Sequence, residues 1–279
     1  MSESEPTATP GAIAVSQESE FESKQNHWMW GLPVALGVVV LGAWQALTSF
    51  HVVPEVVLPA PGQVWSDAKM LALQGFQGQT LWSDVWISAV RILSGFLAAV
   101  VIGVPLGLWM GTNRIIFKLV DPILQFVRPV PPLAYIPLMV VWFGIGEMSK
   151  TMVILLGTIP IIMISSLAGV RGTPRQRVQV AQCLGANRSQ IFRYVILPSA
   201  LPEIFTGMRV GIGVAWTCLV AAEMIGAASG LGWLVQIAGQ DIQVGVIFVG
   251  IVAIGLLGYL MELCIRLIER RVVPWRGRG

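Results

Sequence analysis

The chain has 279 residues, 55% of them hydrophobic and 12% charged, with a mean hydropathy of +0.73. A soluble domain carries about 25% charged residues to cover its surface, so this composition excludes water as the main solvent and points to lipid. A net charge of +3, with arginines gathered in clusters, argues against a nucleic-acid partner and suits the setting of membrane topology.

Residues 1–27 hold five glutamates and one lysine with no apolar period, which predicts a disordered and dispensable tail. They lack the positive start and cleavage site of a signal peptide. Trp28 to Phe50 is an uncharged run of about 23 residues, enough to cross a hydrocarbon core of about 30 Å. His27 and His51 flank it as interfacial residues. Residues 51–83, with Pro54, Pro59 and Pro61, read as an extracytoplasmic loop containing a short amphipathic helix.

A second span runs from about Val85 to Met110, and Gly103, Gly107 and Gly111 form a stripe along which another helix can approach closely. After a short basic turn at Arg114 and Lys118, the apolar run Asp121 to Gly144 is interrupted by Pro122, Pro129, Pro131, Pro132 and Pro137. No helix keeps its hydrogen-bond ladder through that series, so this span is discontinuous. Arg128 sits at the break, and a charge at membrane depth is by default a functional candidate.

Glu147 and Lys150 read as a polar turn before a fourth span, Thr151 to Val170. A fifth, Leu201 to Ala227, carries the pair Gly207 and Gly211 together with Arg209 and Glu223; residues 228–243, containing SGLGW, read as a loop; a sixth span covers Val244 to Ile268. With six spans, three basic clusters fall on one side: Arg114 and Lys118; Arg171, Arg175, Arg177, Arg188 and Arg193; and Arg266, Arg270, Arg271, Arg276 and Arg278. That side is predicted to be cytoplasmic, with both termini there. Cys183, Cys218 and Cys264 are widely spaced without a CxxC or a nearby histidine, so they are expected to pack rather than to bind metal.

Residues 173–198 form a polar island between spans four and five. Thr173 and Gln176 make a capping-box pattern with Pro174 at the first helical position. Val178, Ala181 and Leu184 give an apolar face, and Gly185 can supply the left-handed residue that ends the helix. Asn187 and Gln190 repeat the capping pattern, and Ile191, Phe192, Val195 and Ile196 give a second apolar face up to Leu197 and Pro198. The expectation is a surface helix-turn-helix that either anchors on lipid headgroups or docks a soluble partner.

The pattern AxxxGAxxxxxFxxVILPxALP in this island resembles the cytoplasmic loop of membrane permeases of bacterial ATP-binding-cassette importers that use a binding protein. Ala181, Gly185, Leu197 and Pro198 match that loop, whereas Gln179 and Val180 stand where the family has Glu and Ala. RPVPPLAYIPLMVVWFGIGE (128–147), SSLAGVR (165–171), LPEIFTGMRVGIGVAWTCLVAAEMI (201–225) and SGLGWLVQ (229–236) are similar to the nitrate, sulfonate and taurine branch, over roughly residues 30–276.

The resemblance implies an all-α integral membrane fold of six transmembrane helices, the MetI-like permease fold of type I importers. It implies a permease domain at 28–270 with coupling helices at 173–198, and a cytoplasmic tail at 271–279. It implies a homodimer with two cytoplasmic ATPase subunits and a periplasmic substrate-binding protein, surrounded by membrane lipid, with Gln179, Ala181, Leu184, Gly185, Ala186, Phe192, Leu197 and Pro198 at the ATPase. The implied cargo is a small sulfonate, taurine first, with another alkanesulfonate, nitrate or bicarbonate as alternatives. For such a cargo Arg128 and Arg209 are candidates to meet the sulfonate and Glu223 the ammonium. The chain has no GxxxxGK[ST] phosphate loop, so ATP chemistry has to come from a partner, and no catalytic residue, cofactor or metal is expected. A stand-alone secondary transporter or channel, with Glu223, Arg209 and Asp121 as a relay, has no need of a capped helix pair and would show an inverted repeat. An intramembrane enzyme lacks a nucleophile and base constellation.

Overall fold

The computed structural model describes residues 35–50, 53–54 and 56–275, and these are helical with short connections. The readings of residues 1–27, Trp28, His51, Arg276 and Arg278 lie outside the described residues. Residues 1–64 and 65–279 form two units. In the first, α1 (Ala35–Ser49) is an apolar helix shorter than a full span, and Trp44 Nε1 donates to the Pro59 carbonyl at 3.0 Å.

α2 (Pro61–Leu73) is the short helix expected between the first two spans. Among the described residues, four helices are long and apolar enough to cross a bilayer: α3 (Leu81–Thr112), α6 (Glu147–Arg171), the continuous stretch Arg188–Gly226, and α11 (Val244–Val272). α4 (Arg114–Val127) and the segment Pro132–Phe143, which contains a 3-10 turn and α5 (Ile136–Phe143), form a pair bent by 92°. The bend lies where Pro129, Pro131 and Pro132 remove N–H donors, so the discontinuity expected there is present. Arg114 and Lys118 do not form a turn. They ride on the first turns of α4, because Asn113 caps that helix by accepting from the Ile115 and Ile116 N–H groups.

α6 is the axis of the bundle, flanked by α3 and by α9 (Leu197–Gly226). Glycines permit both contacts. A Cβ built on Gly103 would lie 3.1 Å from Ile162, one on Gly107 2.6 Å from Ser166, and one on Gly111 2.5 Å from Val170. The stripe read from the sequence therefore joins α3 to α6, and the constant offset between partners makes the two helices parallel. On the other side, Gly211 faces Thr158 and Gly207 faces Ser165, so α9 runs antiparallel to α6. Gly258 of α11 faces Trp216 of α9 while Arg209 pairs with Glu269, which makes α11 antiparallel to α9. Ile92, Phe96, Ile154, Ile162, Ile212 and Leu219 fill the core between these helices.

The helix directions bring the ends of α3, α6 and α11 and the start of α9 together. Arg114, Lys118, Arg171, Arg175, Arg188, Arg270 and Arg271 consequently gather at one end of the bundle, here the basic end. Of the cysteines, Cys218 is buried as expected, whereas Cys183 and Cys264 are exposed.

Candidate functional site

At the basic end, α7 (Arg175–Cys183) and α8 (Arg188–Ile191) form the predicted knuckle. Gly185 has φ +80°, the left-handed value that ends α7, with the Gly185 and Ala186 N–H groups donating back to the Gln182 and Ala181 carbonyls. The Asn187 capping box is complete: Gln190 N donates to Asn187 Oδ1 at 2.9 Å, and Asn187 N donates to Gln190 Oε1 at 2.8 Å.

Two expectations for the knuckle are corrected. Thr173 and Gln176 form no capping box, because Pro174 occupies the cap position and the Thr173 hydroxyl donates to the Gly169 carbonyl at 3.4 Å. The second helix does not stop at Leu197 and Pro198. It widens into a π-helical turn over Phe192–Ile196 and runs on into α9. In that turn Leu197 N–H reaches the Phe192 carbonyl, and the shifted ladder accommodates a proline at the second position of α9.

Gln179, Leu184 and Gly185 are exposed, Ala181, Ala186, Phe192, Leu197 and Pro198 half-buried. Val180 and Leu184, one turn apart, leave 60% and 82% of their surface uncovered. A cavity of about 780 Å³ lies between the knuckle and the ends of α3 and α6, lined by Thr112, Val170, Arg175, Gln179, Arg188 and Phe192 among others. Arg171 stacks on Phe117 at 4.0 Å and ties α6 to α4 beside it.

Midway along the bundle, Arg128 ends α4 and lines a second cavity of about 390 Å³ with Tyr135, Pro160 and Ser165. Arg209 does not line that cavity. Its Nε lies 3.6 Å from Glu269 Oε2 on α11.

The opposite end carries a charge network in which Arg91, Lys150 and Glu223 are buried and Glu147 is exposed. Arg91 is 5% exposed; its Nε and Nη2 donate to Glu147 at 2.5 and 2.6 Å, a bidentate pair. Its Nη1 donates to Glu223 Oε1 at 2.8 Å and to the Ser229 carbonyl at 2.7 Å. Lys150 Nζ donates to Glu147 at 3.1 Å. Glu223 is fully buried and also accepts from Ser88. It therefore does not face an open passage in this structure.

The same network caps α10 (Leu231–Gln240). Gly230 N donates to Asp84 at 2.7 Å, Leu231 N to Ser88 Oγ at 2.9 Å, and Gly232 N to Glu223 at 2.8 Å. Two carboxylates and a hydroxyl thus meet N–H groups that a helix start leaves without helical partners, and the negative charges oppose the positive end of its dipole. Gly230 has φ +113°, and a Cβ there would meet the Glu223 carboxylate and Arg91.

The network corrects two expectations. Glu147 and Lys150 belong to the first turn of α6 rather than to a loop, and 228–243 contains the helix α10. Asp84, Ser88 and Arg91 were not singled out in the sequence. Their spacing of four and three residues was the available signal, because it puts all three on one face of an otherwise apolar span.

Residues 103–274 match the family described as binding-protein-dependent transport system inner membrane component. The taurine transport system permease protein TauC of Escherichia coli (strain K12) is 42% identical over 95% of this chain and 99% of its own length. The nitrate import permease protein NrtB of Synechocystis sp. is 33% identical over 87% of this chain and 89% of its own. Among solved structures, a chain of the inward-facing MetNI methionine ABC transporter shares the fold, with a TM-score of 0.60 at 23% identity over 69% of this chain and 97% of that one. The chain is therefore a member of the binding-protein-dependent transport system inner membrane component family, in the branch that includes taurine and nitrate permeases.

Proposed function

We propose that this chain is the permease subunit of an ATP-driven importer that carries a small sulfonate, taurine first, across the inner membrane. Two copies would form the passage, with two cytoplasmic ATPases at the basic end and a periplasmic binding protein at the other. Six spans with both termini inside would complete the topology.

The observation that carries this reading is the knuckle. Its tip presents Val180, Leu184 and Gly185 uncovered at the end where arginines gather, and its second helix is continuous with α9. A partner gripping Gln179, Ala181, Leu184, Gly185 and Ala186 would move α9 directly through Phe192, Leu197 and Pro198. Movement would reach α6 through the contacts at Gly207 and Gly211. Arg128 would face the passage, while Arg209 and Glu223 act mainly by holding helices together. A relay through Glu223, Arg209 and Asp121 has less support, since Glu223 bonds to Arg91, Arg209 pairs with Glu269, and Asp121 accepts from Gln125.

The test is Gly185→Arg. A Cβ there meets nothing within 4 Å, and the left-handed φ of +80° costs an L residue about 1–2 kcal/mol at one exposed position, so the protein is expected to insert with the knuckle only locally strained. It is expected to lose co-purification with its ATPase and to lose taurine uptake. Normal uptake in a correctly inserted variant would remove the docking role from the knuckle.

A further inference from the structure

The cavity at Arg128 has a lining that is chemically one-sided. Its polar side chains are the Arg128 guanidinium and the Tyr135 and Ser165 hydroxyls, and no Asp or Glu is among the lining residues. Arg128 makes no ion pair among the described residues, unlike the buried Arg91. The site is level with the middle of α6, since Pro132, at the start of the segment after the break, packs on Gly157. The proline-broken backbone thus sets Arg128, exposed and without an ion pair among the described residues, beside the middle of α6, and irregular backbone within a span is expected only beside protein or a wet cavity.

A second feature lies on the wall that α6 contributes. Pro160 is inside α6 and has no N–H, so the Leu156 carbonyl, one turn earlier, lacks its helical donor. Leu156 and Pro160 both line the cavity, which places that acceptor on its wall. A guanidinium, two hydroxyls and a freed acceptor around one cavity suit a small zwitterion. The volume of about 390 Å³ lies within the range of about 300–1,000 Å³ usual for small-ligand sites.

We infer that this cavity is a transit site for an aminosulfonate: Arg128, Tyr135 and Ser165 receive the sulfonate and the Leu156 carbonyl freed by Pro160 receives the ammonium. The inference rests on the sulfonate-permease reading and goes further, because it gives the permease a selectivity of its own. It assigns the ammonium contact to backbone rather than to Glu223.

The experiment uses the complete transporter, with ATPase and binding protein, in proteoliposomes. Uptake of taurine and of ethanesulfonate, which has no ammonium, is measured beside ATPase stimulation by the loaded binding protein, each relative to the unsubstituted transporter. Arg128→Gln is expected to lower uptake of both sulfonates about 10- to 100-fold, the size of a lost charge-assisted hydrogen bond, with ATPase stimulation kept. Arg128→Lys should restore part of the uptake. Pro160→Ala returns a donor to the Leu156 carbonyl and is expected to lower taurine uptake about tenfold while sparing ethanesulfonate. Unchanged uptake in Arg128→Gln, loss of ATPase stimulation together with uptake, or an equal fall of both substrates in Pro160→Ala overturns the site. If Arg128→Gln fails to assemble, the double variant Tyr135→Phe, Ser165→Ala decides: reduced uptake of both sulfonates supports the site, and unchanged uptake overturns it. If the unsubstituted transporter moves neither sulfonate, the substrate reading fails instead of the site.

Discussion

At one end of the bundle Arg91 and Lys150 are almost wholly buried and bonded to carboxylates, whereas at the other Leu184 leaves 82% of its surface uncovered. The first end closes upon itself. Arg91 reaches α6, α9 and the loop before α10 with one guanidinium, and α10 starts on Asp84, Ser88 and Glu223. The knuckle at the basic end is held by local bonds, such as the Asn187 box, and presents apolar and basic side chains outward. The difference is one of matching: buried charges must be matched within the chain, while the exposed apolar ridge is left for the contact proposed above with the ATPase.

Three substitutions test this contrast, in decreasing order of effect on stability. Arg91→Ala leaves Glu223 buried without its cation, and breaking such a pair costs about 3–5 kcal/mol. The expected result is a fall of roughly 10 °C in the melting temperature of the detergent-solubilised protein. A fall of under about 2 °C would place the network with exposed ion pairs of little energetic weight. Asn187→Ala removes the cap of α8 and should cost about 1 kcal/mol, seen as a smaller thermal shift and as faster proteolysis at the knuckle. A shift as large as that of Arg91→Ala would show that the two ends are equally structural. Leu184→Ser should change stability by less than about 0.5 kcal/mol, as for an ordinary surface position. It is nevertheless expected to weaken ATPase association in pull-down. An unchanged association constant would mean that the ridge does not touch the partner.

Much of the basic end was legible in the sequence because its determinants are local. Gly185 ends a helix through its own φ, and Asn187 caps through a residue three positions away. The chain break before Pro132 follows from consecutive missing donors. Local reading failed where one more neighbour mattered: Pro174 displaced Thr173 from the cap, and the π-helical turn carried the knuckle past Pro198. The network end was not legible for a different reason. Ser88 and Glu223 are 135 positions apart and Asp84 and Gly230 are 146 apart, so no local pattern links them. Glu147 and Lys150 looked like a turn because two charges beside an apolar run usually mark its exposed edge.

The sequence by itself determined that the chain lives in lipid, where the second, fourth and sixth spans lie to within a turn or so, which helix faces carry glycine, and that a polar helix pair hinged at Gly185 follows α6. Composition, hydropathy and backbone chemistry act over a few residues and need no fold to operate. Only the tertiary structure decided that α6 is the shared axis, that α10 starts on side chains from α3 and α9, and that Arg91 and Glu223 answer each other while Arg128 faces a cavity. These outcomes depend on which helices become neighbours. That is set by the summed packing of whole faces, and a charge at membrane depth acquires its role only from what that packing brings beside it.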